Sequence, residues 1–114
     1  MNRDVTYLAH IASAIRAIDT YLAGVTEETF CETPIVRDAV LRNLEVISEA
    51  SRRLSDDLKQ RYPGIPWNAI AAAGNVYRHD YHAVNEEIVW QTATAGLDGI
   101  REALKRETEN PEAP

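Results

Sequence analysis

The 114-residue sequence has little of several features that mark particular classes of protein. Its one cysteine, Cys31, cannot form a disulfide within the chain and cannot hold a structural zinc ion by itself. No apolar run is long enough to predict a membrane-spanning helix, and the N-terminus does not have the layout of a secretory signal. The length fits one domain, and these absences predict a cytoplasmic protein.

The chain also lacks an excess of basic residues. Its formal net charge is −6 and its isoelectric point is about 5.0. Proteins that coat or bend nucleic acids are usually basic, so this composition argues against tight binding to RNA or DNA over a broad surface. It does not argue against an enzyme that engages RNA through one local positive cleft.

Alternating strand patterns are absent, and apolar residues instead recur every three or four positions along most of the chain. This spacing is typical of amphipathic helices. The first apolar stripe runs from Leu8 to Leu22, and Gly24 is predicted to end that helix. Thr26 then has the character of an N-cap, which predicts a short capped turn over "VTEETF".

Three longer helices are predicted after this turn. The first begins with Thr33 as N-cap and Pro34 at the first helical position, and it continues without a break until Pro63. The next covers "WNAIAAAGNVYRHDY", residues 67–81, and the last begins near Asn85. Helices of this length with short connections favour an all-α fold, an up-and-down bundle of four main helices.

The domain boundary is predicted near the C-terminus. Residues 1–106 are predicted to form one helical domain. The polar, proline-containing tail "ETENPEAP", residues 107–114, is predicted to be frayed.

The stretch "GNVYRHDYH", residues 74–82, concentrates most of the chemistry in the sequence. If it is helical, Asn75, Arg78, His79 and His82 share one face, because their spacing is i, i+3, i+4 and i+7. Imidazole is the natural proton donor and acceptor near neutral pH, and a guanidinium can hold a phosphate and stabilise its charge. Together they have the minimum equipment for cleaving RNA without a metal ion.

Two other interpretations stay open on spacing alone. His79 and His82, with Asp80 nearby, could bind a metal ion, although two imidazoles are fewer ligands than a metal site usually has. Alternatively, the polar face caps a helix end or lines a subunit interface and has no chemistry. Tyr81 is two residues from His79, so in an unbroken helix it points to nearly the opposite side.

Four segments together resemble a known family: "YLAHIASAIRAI", "RDAVLRNLEVISEASRRL", "YPGIPWNAIAAAGN" and "RHDYHAVNEEIVW". They are similar to the HepT-like toxins of the HEPN superfamily. The resemblance implies a homodimeric helical bundle whose two motif copies face each other across a cleft. It implies an endoribonuclease toxin that needs no metal or cofactor. Its antitoxin would be a minimal nucleotidyltransferase, which neutralises the toxin by binding or by adding AMP to the motif tyrosine.

The family motif is an arginine, four to six residues, and then His-x-Tyr. Here "HDY" supplies His79 and Tyr81, while the usual arginine position falls on Gly74, directly before Asn75. The arginine stands instead at Arg78, about one helical turn later, from which a long side chain can reach a similar position.

The resemblance implies roles for His79 and Tyr81, and the chemistry and spacing of the stretch suggest roles for Arg78, Asn75 and His82. His79 would do acid–base work, Arg78 would stabilise the phosphate and Asn75 would orient the site. Tyr81 would shape the site and accept AMP, and His82 would be a further RNA contact. The displaced arginine also supports a second hypothesis, a catalytically silent module that binds the nucleotidyltransferase or a nucleotide. A structural dimer without a ligand is the third.

Overall fold

The computed structural model describes residues 3–80, 82 and 84–109. The described residues form helices and no strand, which confirms the predicted all-α fold. None of the described helices is long and apolar enough to cross a membrane. The elements in chain order are α1 (Arg3–Leu22), α2 (Glu27–Cys31), α3 (Pro34–Arg53), α4 (Asp56–Arg61), α5 (Trp67–His79), α6 (Glu86–Ala93), the 3-10 helix (Ala95–Leu97) and α7 (Asp98–Glu109).

Helix α3 lies at the centre of the bundle, with its most extensive contacts to α1 and α5. Its apolar stripe is buried, as the sequence pattern predicts, and so is the stripe of α1. The α6 and α7 segments complete the same core. The larger buried apolar side chains are Ile11, Ile15, Ile18, Phe30, Val40, Leu41, Leu44, Ile47, Leu54, Leu58, Ile65, Val89, Leu97 and Ile100.

Several predicted helix starts are confirmed by their hydrogen bonds. The Thr26 side chain accepts a bond from the backbone N–H of Thr29 at 3.1 Å. Asn85 caps α6 by accepting two backbone N–H groups of its first turn, at 2.8 and 3.3 Å. Thr33 and Pro34 also begin α3 as predicted, but the Thr33 hydroxyl donates backward to the Thr29 carbonyl instead of capping.

The prediction of one unbroken helix from Pro34 to residue 62 is wrong, because the chain leaves the helix at Leu54 and Ser55. In a continuous helix the Ser55 N–H would bond to the carbonyl four residues earlier. Here it donates to the Asp4 carboxylate of α1 at 2.8 Å, and the Ser55 hydroxyl donates to the same carboxylate at 2.6 Å. Ser55 also caps α4 by accepting from Leu58 N–H at 3.2 Å.

The last predicted helix is also broken, between α6 and α7. The backbone turns at Thr94, whose hydroxyl donates to the Trp90 carbonyl at 2.7 Å, and the 3-10 helix follows. Leu97 and Ile100 are still buried on the core side. The apolar spacing therefore continues across the break between α6 and α7, and for that reason the break could not be predicted from it.

Helix α7 extends beyond the predicted domain boundary at residue 106. Residues 107–109, predicted to be frayed, are helical. The Glu107 carboxylate accepts hydrogen bonds from the Tyr62 hydroxyl at 2.6 Å and the Arg61 guanidinium at 2.9 Å, which attaches the end of α7 to α4. Burial and the bond to Glu107 raise the pKa of Tyr62, so its hydroxyl stays a donor at neutral pH. Residues 110–114 lie outside the described part.

Asp4→Ala should lower the free energy of unfolding by about 1–3 kcal/mol, because it removes the acceptor of two hydrogen bonds at the break between α3 and α4. Urea unfolding followed by circular dichroism measures the change. Asp38→Ala is the control, since that side chain is 59% exposed and should change stability by no more than about 0.5 kcal/mol. Equal losses in the two variants would contradict the role assigned to Asp4.

Candidate active site at the end of helix α5

Helix α5 carries the motif in its last two turns. Its start is anchored by the Trp67 indole N–H, which donates to the carbonyls of Lys59 and Tyr62 at 3.2 and 3.1 Å. It ends at His79, where the Asp80 N–H makes the last helical bond, to Val76, at 2.9 Å. Arg78 thus stands at a helix C-terminus, where the helix dipole favours positive charge.

Asn75 and Arg78 share one face of α5, as their spacing predicts. The Arg78 Nη2 donates to Asn75 Oδ1 at 2.8 Å. Both residues are exposed. The amide therefore holds the guanidinium in one orientation at the surface.

Gly74 is buried where α5 packs against α3. A Cβ at this position would overlap Ser48 Oγ and would lie 3.0 Å from Ser48 Cβ. Ser48 itself is fixed, because its hydroxyl lies 2.8 and 3.1 Å from the carbonyls of Ile70 and Ala71, to which it donates. A side chain at position 74 would therefore require Ser48 to give up this position or the two helices to shift.

The guanidinium of Arg78 folds back over this glycine. Its Nη1 lies 3.7 Å from the place where a Cβ of residue 74 would stand. Side chains on a helix lean toward its N-terminus, which is why an arginine one turn later can reach back this far. The guanidinium thus comes within one helical turn of the position where the resemblance to the HepT-like toxins expects it.

Glu45 of α3 also borders the site, and the sequence did not predict its presence there. Its Oε1 lies 3.9 Å from Arg78 Nη1, and its Oε2 lies 3.8 Å from Arg42 Nη1. The Glu45 side chain is 23% exposed, and that of Arg78 is 29% exposed. Arg78 is thereby held between an amide and a carboxylate, with part of its surface open to a ligand.

The two histidines are not arranged as predicted. His79 is the last residue of α5 and is exposed, but Asp80 departs from helical geometry and His82 lies beyond the helix. The prediction of one helical face for all four polar residues is therefore wrong for His82, which is exposed. Tyr81 lies outside the described residues. Across the described ranges, no group of three or more His, Cys, Asp or Glu side chains is placed to hold a metal ion.

The side of α5 that carries Tyr77 is more apolar. Tyr77 is half-buried, and this burial raises the pKa of its phenol. It borders a groove of about 330 Å³ between α5 and α6, which also includes Ile70, Ala73 and Ile88. Ile88 is 61% exposed and the neighbouring Val76 is 46% exposed. An apolar surface thus lies directly beside the polar motif.

Comparison with known proteins identifies relatives over most of the chain. A family model described as "Ribonuclease HepT-like" matches residues 11–107. A protein of Thermococcus cleftensis named "Probable ribonuclease HepT" is 32% identical over 83% of this chain and 86% of its own length. A protein of Caldanaerobacter subterraneus subsp. tengcongensis named "Putative RNase" is 28% identical over 87% of this chain and 88% of its own.

A further relative is a longer protein. The Methanocaldococcus jannaschii protein whose name joins "Gamma-glutamylcyclotransferase" to "putative RNase" is 30% identical over 91% of this chain. The match covers 47% of that protein's length. No solved structure matches the chain.

Gly74→Ala should lower the free energy of unfolding by about 1–3 kcal/mol, because the added Cβ overlaps Ser48. This outcome is opposite in sign to the usual gain when a helical glycine becomes alanine. Gly99→Ala is the matched control, since Gly99 is also helical and an added Cβ there would lie 3.4 Å from its nearest neighbour, Ile65. Thermal unfolding of both variants checks the expectation, and a Gly74→Ala protein as stable as the parent would refute the close packing.

Proposed function

The chain belongs to the ribonuclease HepT-like family, and from this premise we propose that it is a metal-independent endoribonuclease, the toxin of a toxin–antitoxin pair. The observation that carries the proposal is the guanidinium of Arg78, held over Gly74 by Asn75 and Glu45. It restores a phosphate-binding charge near the position where the family motif has its arginine. The ribonuclease names of the relatives support the same activity.

The proposed reaction is the attack of a ribose 2′-oxygen on the adjacent phosphorus, with loss of the 5′-oxygen of the next nucleotide. His79, exposed at the end of α5, moves one of the two protons. It either takes the proton of the 2′-hydroxyl while water protonates the leaving 5′-oxygen, or protonates that oxygen while water takes the 2′-hydroxyl proton. Arg78 binds the non-bridging oxygens and stabilises the charge that builds on them. Asn75 keeps the guanidinium oriented before the substrate arrives, which reduces the reorganisation that binding requires.

We propose that the active form is a homodimer. One chain presents a single His79 and a single Arg78 on an open surface, which offers only half of a cleft. Val76 and Ile88, apolar residues near the motif that are 46% and 61% exposed, provide apolar surface that a second copy can bury. A two-fold axis through this surface would set two motifs opposite each other. In that arrangement Tyr81 shapes the cleft and His82 contacts RNA.

The proposed antitoxin is a minimal nucleotidyltransferase that neutralises the toxin by binding it or by adding AMP to Tyr81. This part of the proposal rests on the resemblance of "RHDYH" to the family motif. A modified tyrosine two residues from His79 would place a phosphate and a nucleotide next to the cleft. Substrate RNA would then be excluded by charge and by bulk.

A second candidate function is a catalytically silent module that binds the nucleotidyltransferase or a nucleotide. The ion pair between Arg78 and Glu45 favours it, because the carboxylate partly neutralises the charge available to a phosphate. The net charge of −6 also opposes RNA binding outside a local site. Cleavage assays separate the two functions.

The purified protein should cleave RNA in the presence of EDTA, and His79→Ala and Arg78→Ala should each lower the rate by at least about 100-fold. Gel analysis of labelled RNA measures the rates. Two control variants carry the same substitutions, histidine to alanine and arginine to alanine, at residues outside the site. His10 is an exposed histidine on α1 that packs edge-on against Tyr7, and Arg53 is an exposed arginine paired with Glu49. Their alanine variants should keep full activity.

Absence of cleavage by the parent protein would favour the silent module, and cleavage that survives His79→Ala would refute the proposed acid–base role.

Incubation with its nucleotidyltransferase partner and ATP should add AMP to the chain, and intact-mass spectrometry detects the addition. Tyr81→Phe should abolish it, because the acceptor oxygen is lost, while Tyr77→Phe should not, since that phenol is half-buried. Loss of ribonuclease activity should accompany the mass gain. A mass gain that persists in Tyr81→Phe would identify a different acceptor.

A further inference from the structure

A cavity of about 210 Å³ lies between α3 and α5 beside Arg78, and neither the motif nor the proposed reaction uses it. We propose that it is a base-binding subsite that prefers guanine, and this inference rests on the proposed ribonuclease function. Asp38, Leu41, Arg42 and Glu45 line one side, and Tyr77 lines the other. The cavity is below the 300–1,000 Å³ of typical sites for drug-sized ligands, which suits a single ring system.

The lining combines an apolar floor with polar groups at its edge. The α3 residues occur at i, i+3, i+4 and i+7, so they form one face of the helix. Leu41 is buried and Tyr77 contributes an aromatic ring. Single-stranded RNA is commonly recognised by bases that leave the stack, pack against an aromatic side chain and hydrogen-bond along their edges. This lining offers both kinds of contact.

Glu45 has unused hydrogen-bonding capacity. Its two carboxylate oxygens stand 3.9 and 3.8 Å from the nearest nitrogens of Arg78 and Arg42, which is too long for a hydrogen bond. Within the described residues, no hydrogen bond to this carboxylate satisfies ordinary geometry. A carboxylate accepts only, so a ligand that completes it must bring N–H donors.

Guanine fits this pattern better than the other bases. Its N1–H and its 2-amino group lie side by side and can donate to the two oxygens of one carboxylate. Its O6 and N7 are the pair of acceptors that an arginine binds in bidentate fashion, and Arg42 lies next to Glu45. Adenine and cytosine offer one exocyclic amino group on these edges, and uracil offers one N–H. Glu45 would therefore contact both the base and Arg78.

This subsite adjoins the proposed reaction centre. Glu45 contacts Arg78, and Tyr77 directly precedes Arg78 in the chain. A phosphate held by Arg78 would thus have one of its flanking bases within reach of the cavity. The subsite would give the proposed nuclease a preference for guanosine next to the cleaved bond.

The test is binding of ribonucleoside 3′-monophosphates to the intact protein, followed by nuclear magnetic resonance titration. The guanosine nucleotide should bind at least about fivefold more tightly than those of adenosine, cytidine and uridine. The inosine nucleotide, which lacks only the 2-amino group, should bind more weakly than guanosine. Glu45→Gln should remove the preference, because an amide brings one acceptor and one donor where two acceptors are required.

Glu49→Gln is the matched control, since Glu49 is one turn further along α3 and pairs with Arg53. It should leave the preference unchanged. Equal binding of the four common nucleotides by the parent protein would overturn the subsite, as would a guanosine preference that survives Glu45→Gln. Circular dichroism verifies that both variants are folded.

These outcomes are distinct from failure of the proposed nuclease. A protein that prefers guanosine nucleotides but never cleaves RNA would retain the subsite and lose the nuclease. A protein that cleaves RNA through His79 without any base preference would retain the nuclease and lose the subsite.

Discussion

Burial of α3 on two faces is the constraint on which the rest of the structure depends. The helix buries large apolar side chains in the core, and where it packs against α5 it presents Ser48, which is small enough for the α5 backbone to approach. The hydroxyl can be buried because it donates to carbonyls of α5. This contact fixes the position of α5 along α3. One turn earlier on α3, Glu45 then stands beside Arg78. The arrangement of the site is therefore a consequence of core packing.

The charges of the site are arranged locally in a chain that is acidic overall. Arg78 and Arg42 flank one carboxylate, and the ion pairs are long and partly exposed. Pairs of this kind contribute little to stability, since solvent screens them. The orientation of Arg78 comes instead from its 2.8 Å hydrogen bond to Asn75, which leaves part of the guanidinium accessible. A phosphate that approaches Arg78 meets a charge that is already oriented.

Local chemistry could be predicted from the sequence, and tertiary contacts could not. The cap at Thr26 and the helix start near Asn85 depend on neighbouring backbone groups, and both were predicted correctly. The break at Ser55 depends on Asp4, 51 residues away, so it could not be predicted from the uninterrupted apolar spacing around it.

The same limit applies to the site. The contact of Asn75 with Arg78 follows from helical spacing, whereas Glu45 belongs to another helix. His82 was misplaced because nothing in the spacing marks Asp80 as the helix end.

The contact of Gly74 with Ser48 also has an evolutionary consequence. A chain with the arginine at position 74 and a chain with it at position 78 require different neighbours on α3. Starting from this sequence, an arginine introduced at position 74 would collide with Ser48, and the collision would act on folding before any effect on catalysis appeared. The two placements are therefore not exchangeable by one substitution. Positions 48, 74 and 78 should therefore change together among relatives, as an epistatic set. Each placement of the arginine would go with its own distance between α3 and α5.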